Sequence, residues 1–205
     1  MARKIKKAPK PNRSYELRPE RRKHDLRILS LDPGSRNMGI ACVAVKDATI
    51  DVVANSILTN PITSLVDNYM QRRELFLAEL ERWIDLYQPK AVVMERFQTR
   101  GNGGPLIELV STMNAAVGII DRDMQCKFIT AATWKNKFNR RFDNALDDMY
   151  KECLTTPHQL DAILIGCYGL EVGLQKELSY TPEGIIKLAQ ATSVLPLRKT
   201  RATKE

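Results

Sequence analysis

The chain has 205 residues, a length typical of one domain with short extensions, and 43% of them are hydrophobic. No apolar run is long enough to cross a membrane, and no apolar stretch follows the N-terminal charges as it does in a secretory signal. The cysteines form no C-x-x-C pair, which argues against a structural zinc site and indicates reduced, mostly buried thiols. They are Cys42, Cys126, Cys153 and Cys167.

Positive charge is concentrated at the N-terminus. Residues 1–24 contain ten Lys or Arg and two acids, which accounts for the whole net charge of +8. A near-neutral body with basic ends is typical of a protein that binds a polyanion. A solubilising or unstructured leader is an equally open interpretation, and organellar targeting is a third. We predict that this leader is disordered until it binds a partner.

Hydrophobic periodicity predicts alternating strands and helices along the rest of the chain. The first strands are joined by short connections, which favours an antiparallel meander. In chain order we predict strands at 27–31, 38–45 and 48–58, a helix within 60–89, a strand at 90–97, a flexible segment at 99–104, a helix from Pro105, a strand at 126–130, one or two helices within 131–153 and a core helix from about Thr156.

This order of elements predicts an α/β fold in which helices flank a mixed five-stranded sheet with both antiparallel and parallel pairs. The composition divides the chain into three regions. Residues 1–24 form the basic leader, residues 25–173 form the globular domain, and residues 174–205 form an appended helical segment with a basic C-terminal tail.

Two acids directly follow hydrophobic strands. Asp32 comes after "ILSL" and Glu95 comes after "AVVM". If these two strands are neighbours, both carboxylates stand side by side at one end of the sheet. Taken alone, Asp32 before Pro-Gly is also a turn former, and Glu95 is also a surface partner for a nearby arginine.

A third acid lies near the start of the last core helix. In "TPHQLDA", Thr156 is a good N-cap residue and Gln159 completes a capping box. His158 and Asp161 are three residues apart and therefore share one helical face. Clustered oxygen ligands suit Mg²⁺, and a pair of such ions can promote phosphodiester hydrolysis. Taken alone, Asp161 is more simply explained as a helix-dipole acid and His158 as a capped surface histidine.

These motifs resemble those of a known nuclease family. "LDPGSRNMGIA" is similar to the first-strand motif of the RuvC-type Holliday-junction resolvases, which belong to the ribonuclease H-like nucleases. "VMERF" is similar to the second motif of that family, and "HQLDAILIG" to its closing motif. The resemblance covers about residues 27–171 in a consistent order, and the basic leader and the C-terminal tail lie outside it.

The resemblance implies a ribonuclease H-like fold and a catalytic, metal-binding set of Asp32, Glu95, His158 and Asp161. It implies two Mg²⁺ ions per active site, for which Mn²⁺ can substitute. It also implies a homodimer that nicks two strands of like polarity at a four-way junction. The stretch "LIELVSTMNAAVGII" is suited to the dimer interface, although packing in the core explains it nearly as well.

The sequence departs from the family pattern at two positions. In the family, an aromatic residue near the glutamate enters the junction. Here the "TRGNGG" loop has no aromatic residue, and Phe97, two residues after Glu95, is the candidate for this role. His158 stands where many members carry an acid. DNA contacts are expected from basic residues around the acidic site, and Lys135 is the favoured phosphate contact. The DNA-binding candidates are Arg36, Arg96, Phe97, Arg100, Lys135, Lys137, Arg140 and Arg141.

The favoured interpretation is a structure-selective DNA endonuclease that resolves Holliday junctions by paired symmetric nicks. Alternatives are a flap or branched-DNA nuclease or a ribonuclease H on the same fold, and a non-catalytic junction-binding protein. We expect four-way or branched DNA as the partner and no membrane. The expected location is the cytoplasm of a bacterium or of a virus-infected host.

Overall fold

The fold is given by a computed structural model that describes residues 26–34, 37–46, 48–59, 69–96 and 124–193. The described strands and helices follow the predicted order along the chain. In chain order they are β1 (Leu26–Asp32), β2 (Asn37–Lys46), β3 (Thr49–Thr59), α1 (Tyr69–Tyr87), β4 (Ala91–Glu95), β5 (Gln125–Ile129), α2 (Ala131–Arg141), α3 (Leu146–Glu152), α4 (Pro157–Leu174) and α5 (Pro182–Thr192).

The strands form one mixed sheet in the order β3-β2-β1-β4-β5. The pairs β1–β2 and β2–β3 are antiparallel, whereas β1–β4 and β4–β5 are parallel. The predicted meander and the predicted mixture of pairings are therefore confirmed. The arrangement brings the carboxyl ends of β1, β4 and β5 to the same end of the sheet.

Each face of the sheet covers a separate hydrophobic core. Leu29 and Leu31 of β1 contact the core under α1, where Trp83 is also buried. Ile28 points to the opposite face, into the core formed with α2, α3, α4 and α5. Because successive strand residues point to opposite faces, Asp32 lies on the same face as Ile28. The acid at the end of β1 is thus directed towards α4.

The helix α4 lies very close to the sheet because small residues meet at the contact. A Cβ atom placed on Gly39 of β2 would come within 1.8 Å of the carbonyl oxygen of His158. Along the same helix, a Cβ on Gly166 would come within 2.5 Å of Val43. Gly39 also pairs with Asp32 in the sheet register. The first turn of α4 is therefore packed directly beside the acid at the end of β1.

This close contact predicts the effect of Gly39→Ala. The added methyl group must displace the first turn of α4, which we expect to lower the free energy of unfolding by about 2 kcal/mol. Urea denaturation measures this effect. Gly173→Ala is the control, because a Cβ at that position meets no described atom within 4 Å. We expect Gly173→Ala to be neutral or stabilising, since alanine favours helix. Equal destabilisation by both variants would contradict the packing argument.

The C-terminal helix α5 packs against β3, and Ile185 and Ala189 on it are fully buried in the main core. A buried polar network holds this helix in place. Asn55 of β3 donates to the carbonyl oxygen of Ala189 at 2.9 Å, and Gln159 of α4 donates to Asn55 Oδ1 and to Ser193 Oγ, both at 3.0 Å. The predicted helix in the C-terminal segment is thus present, while the boundaries of the three predicted regions stay a prediction.

Several predictions fall on other parts of the chain. The basic leader, the flexible segment at 99–104 and the helix from Pro105 lie outside the described residues. The predicted helix within 60–89 is described from Tyr69 onward and ends at Tyr87. All four cysteines are free, as predicted. No helix in the described ranges is long and apolar enough to cross a membrane.

Candidate active site

Asp32 and Glu95 lie side by side at the carboxyl ends of two neighbouring parallel strands. The register of β1 and β4 pairs Leu31 with Met94, one residue before each acid. Ser30 pairs with Val93, so the two acids also share the sheet face that α4 covers. Ligands of α/β proteins usually bind beyond the carboxyl ends of parallel strands. The predicted pairing of these acids is therefore present at such a position.

The first turn of α4 brings His158 and Asp161 to the same place. The predicted capping box is present: the Thr156 side chain accepts from the Gln159 N–H, and the Gln159 side chain accepts from the Thr156 N–H at 3.1 Å. His158 Nδ1 donates to Asp32 Oδ2 at 2.6 Å. The side chain of His158 is 43% exposed, whereas that of Asp32 is 10% exposed. The histidine thus covers the acid from the solvent side.

The charges of the acids act on one another. Burial raises the pKa of Glu95, and the negative charges of Asp32 and Asp161 raise it further. Burial also raises the pKa of Asp161, with a contribution from Asp32. The hydrogen bond to Asp32 raises the pKa of His158 and so favours its protonated form. Because the three carboxylates repel one another, a positive charge is electrostatically favoured at this end of the sheet.

Three further side chains from α2 and α3 contact these acids. Trp134 Nε1 donates to Glu95 Oε2 at 2.8 Å. Lys135 Nζ lies 3.3 Å from Asp161 Oδ2, and the Tyr150 hydroxyl donates to Asp161 Oδ1. Only Lys135 was predicted from the sequence. Trp134 directly precedes Lys135 at the start of the helix after β5, and this position could have indicated it from the sequence. No sequence pattern indicated Tyr150.

The donor set suits a hard divalent cation in its chemistry, since it consists of carboxylate oxygens and one imidazole. Their mutual repulsion, which adds to burial in raising the pKa of Glu95 and of Asp161, is relieved by a bound cation. Among the described residues, however, no three His, Cys, Asp or Glu side chains are arranged to hold a metal ion. Each of the three carboxylates accepts a hydrogen bond, Asp32 from His158, Glu95 from Trp134 and Asp161 from Tyr150.

The basic residues predicted to contact DNA fall into separate groups. Arg96 and Arg140 are exposed, and the side chain of Lys135 is 40% exposed at the acidic site. In contrast, Lys137 and Arg141 bind the buried carboxylate of Glu171, at 2.5 Å and 2.6 Å. Each of these two therefore has an internal partner, and their role in DNA binding stays a prediction. The remaining candidates, Arg36, Phe97 and Arg100, lie outside the described residues.

A five-stranded sheet in this order, with acids at the ends of β1 and β4, belongs to the ribonuclease H-like class of folds. RuvC of T. thermophilus, solved in complex with a Holliday junction substrate, has the same architecture with a TM-score of 0.60. It is 14% identical, and the match covers 75% of this chain and 98% of that one. A second structure of Thermus thermophilus RuvC gives a TM-score of 0.59 at 13% identity, covering 75% of this chain and 99% of that one. These likenesses confirm the predicted fold.

The family follows from the sequence comparison. The family model for crossover junction endodeoxyribonuclease RuvC matches residues 28–139, more than half of the chain. The chain therefore belongs to the RuvC family. The matched range includes Asp32, Glu95 and Lys135 and ends before α4.

Curated relatives carry the same family name. Crossover junction endodeoxyribonuclease RuvC of Teredinibacter turnerae is 28% identical over 99 residues, which are 47% of this chain and 56% of the relative. That of Thermobifida fusca is 31% identical over 78 residues, which are 38% of this chain and 41% of the relative. The chain thus spans about half the length of the curated relatives it matches.

Proposed function

We propose that this protein is a divalent-cation-dependent endonuclease that resolves four-way DNA junctions as a homodimer, by paired symmetric nicks. The convergence of Asp32, Glu95 and Asp161 at one end of the sheet carries this proposal. Membership of a family whose relatives are named crossover junction endodeoxyribonucleases supports it. A structural neighbour was solved with a Holliday junction substrate, which supports the choice of DNA.

The residues that would hold the cations are Asp32, Glu95 and Asp161, with His158 assisting. We propose two Mg²⁺ ions per site, for which Mn²⁺ can substitute. When bound, such ions activate a water molecule and stabilise the leaving oxygen of the phosphodiester, which leaves 5′-phosphate and 3′-hydroxyl ends.

The protein side chains have separate tasks around this chemistry. Lys135 places an ammonium group beside Asp161, where it can bind a phosphate oxygen of the cleaved strand. His158 is 43% exposed and borders the site on the solvent side, where DNA must approach. Trp134 and the sheet close the site from the other side, because the indole is fully buried. Among the described residues, His158 and Lys135 border the open side of the site, from which the scissile phosphate would approach.

Among the described residues, Arg96 is an exposed candidate for a contact to the DNA backbone, because it directly follows Glu95. We expect Arg96→Ala to weaken junction binding and to reduce the slope of log K against log salt by about one. Fluorescence anisotropy across a salt series measures this slope. Arg82→Ala is the control, because Arg82 pairs with Glu79 on α1, over the other face of the sheet. An unchanged slope for Arg96→Ala would exclude this contact.

The experiment that tests the proposed function is cleavage of a substrate panel with and without Mg²⁺. The panel contains a four-way junction, a flap, a replication fork and an RNA–DNA hybrid. Symmetric paired nicks confined to the junction are expected. Preferred cleavage of a flap or of the hybrid would instead establish another nuclease of this fold, and Mg²⁺-independent binding without hydrolysis would establish a junction-binding protein.

The homodimer is also a proposal, since the predicted interface stretch lies outside the described residues. Analytical ultracentrifugation, with and without a junction, tests it, and a monomer on junction DNA would contradict it. A cytoplasmic location stays a proposal as well, in agreement with the bacterial sources of the relatives.

A further inference from the structure

Two aromatic side chains make direct hydrogen bonds to the acids of the site. The Trp134 indole N–H donates to Glu95 Oε2 at 2.8 Å, and the Tyr150 hydroxyl donates to Asp161 Oδ1. Trp134 is fully buried and Tyr150 is half-buried. Each donor fixes one carboxylate from the protein side. Neither ring belongs to the set of residues that the family resemblance assigns to catalysis.

The two rings also share a cation. Lys135 Nζ lies 4.8 Å from the centroid of the Trp134 ring and 5.9 Å from that of the Tyr150 ring. It contacts Asp161 Oδ2 at 3.3 Å. Both aromatic faces attract the ammonium group, so the rings hold it beside Asp161. The result is a continuous chain of contacts from Glu95 through Trp134, Lys135 and Tyr150 to Asp161.

The elements that carry these donors are anchored in the core. Trp134 lies in the first turn of α2, which Thr130 caps, and its ring packs edge-to-face against Phe138. Tyr150 lies on α3 next to Met149, which is buried in the same core. The positions of both donors are therefore set by packing that does not involve the acids.

We propose that Trp134 and Tyr150 are positioning residues that keep Glu95 and Asp161 at this end of the sheet, from where both can bind a divalent cation. The inference rests on the proposed function in that the same acids bind the cation. Repulsion between the carboxylates favours their rotation away from one another, and a fixed donor on each opposes that rotation. Hydrogen bonds of this kind orient metal ligands, and their loss typically lowers metal affinity about 10- to 100-fold.

The first test is Tyr150→Phe, which removes only the hydroxyl. We expect the Kd for Mn²⁺, measured by electron paramagnetic resonance on the protein without DNA, to rise about tenfold. The thermal midpoint should change little, because the ring and its packing remain. Tyr168→Phe is the matched control, since its ring faces Lys137 at 5.5 Å. A Kd within twofold of that of the wild type, or no Mn²⁺ binding by the wild type, overturns the proposal.

The second test asks whether Tyr150 acts through Asp161. In the Asp161→Asn background we expect Tyr150→Phe to change the Mn²⁺ Kd less than twofold, because the group it positions is no longer a strong ligand. The same tenfold change in both backgrounds would show that the hydroxyl acts elsewhere. Junction cleavage should also need more Mg²⁺ for half-maximal rate in Tyr150→Phe, with an unchanged KM for DNA.

The third test is Trp134→Phe, with Trp83→Phe as its control. Trp83 is equally buried, but it lies in the core under α1, on the other face of the sheet. Both variants lose core volume, and only Trp134→Phe loses a hydrogen bond to an acid of the site. We therefore expect weaker Mn²⁺ binding for Trp134→Phe alone, and equal effects of the two variants would overturn the role of Trp134. A protein that binds Mn²⁺ with this pattern but cuts no junction would refute the proposed function and not this inference.

Discussion

Asp32→Asn is expected to reduce junction cleavage at least about 1,000-fold, which corresponds to about 4 kcal/mol of transition-state stabilisation. The substitution preserves the shape of the side chain and removes its charge. Asp32 is buried beside His158 and acts electrostatically on both Glu95 and Asp161. The substitution therefore removes the carboxylate that binds His158 and that interacts electrostatically with both other acids. Single-turnover cleavage of a labelled four-way junction measures the effect.

The affinity of the same variant for the junction should stay within about threefold of the wild type. The substitution removes a negative charge, so it adds no repulsion towards the DNA backbone. Asp143→Asn is the matched control. Asp143 is exposed between α2 and α3 and has a left-handed backbone with φ of 49°, which asparagine also adopts readily. Cleavage by Asp32→Asn at the level of Asp143→Asn would refute the assignment of Asp32. Chelation of divalent cations should abolish wild-type cleavage in the same assay.

The positions of Asp32 and Glu95 could be predicted because each acid ends a hydrophobic strand. An acid rarely stands directly after a mostly apolar strand unless a structure holds it there, and parallel pairing of β1 with β4 then places both at one end. Asp161 could be predicted in the same way, from the Thr156 cap and the helical spacing to His158. These predictions depend only on the local sequence pattern and on the pairing of β1 with β4.

The contacts that support the site could not be predicted in this way. Trp134 and Glu95 are 39 residues apart, and their hydrogen bond depends on how β5 leads into α2. The close approach of α4 depends on Gly39, whose role is visible only once the helix lies on the sheet. Lys137 seemed equivalent to Lys135, but two residues along a helix point to different sides. Tertiary packing thus decides which lysine faces the acids.

The buried carboxylate of Glu171 binds two other basic residues of α2. Its side chain is 1% exposed and binds Lys137, Arg141 and the Leu178 N–H. Arg141 also donates to the Leu178 carbonyl oxygen and lies 4.0 Å from the centroid of the Tyr180 ring. One carboxylate on α4 therefore ties α2 to the segment that leads into α5. The same contacts therefore fix the position of α2, which is the helix that carries Trp134 and Lys135.

Glu171→Gln should lower the free energy of unfolding by about 3 kcal/mol, because it leaves Lys137 and Arg141 half-buried without their counter-charge. For a protein of this length, that corresponds to a fall of about 6 to 12 °C in Tm. Urea denaturation and calorimetry at neutral pH measure the two quantities. Glu177→Gln is the control, since Glu177 is exposed and close in sequence. A loss below about 1 kcal/mol would contradict the proposed strength of these ion pairs.

The pH dependence of stability gives an independent test of the same carboxylate. Burial alone would raise the pKa of Glu171, but the Leu178 N–H, Lys137 and Arg141 outweigh it and hold the pKa below the usual 4.5. A group whose pKa is lowered by folding stabilises the protein above its unfolded pKa, and this stability is lost as the pH falls through the folded value. The stability difference between wild type and Glu171→Gln should therefore be constant from pH 7 to about 5 and should shrink below about pH 4.5. A difference that stays constant down to pH 3 would show that the charge of Glu171 does not stabilise the fold.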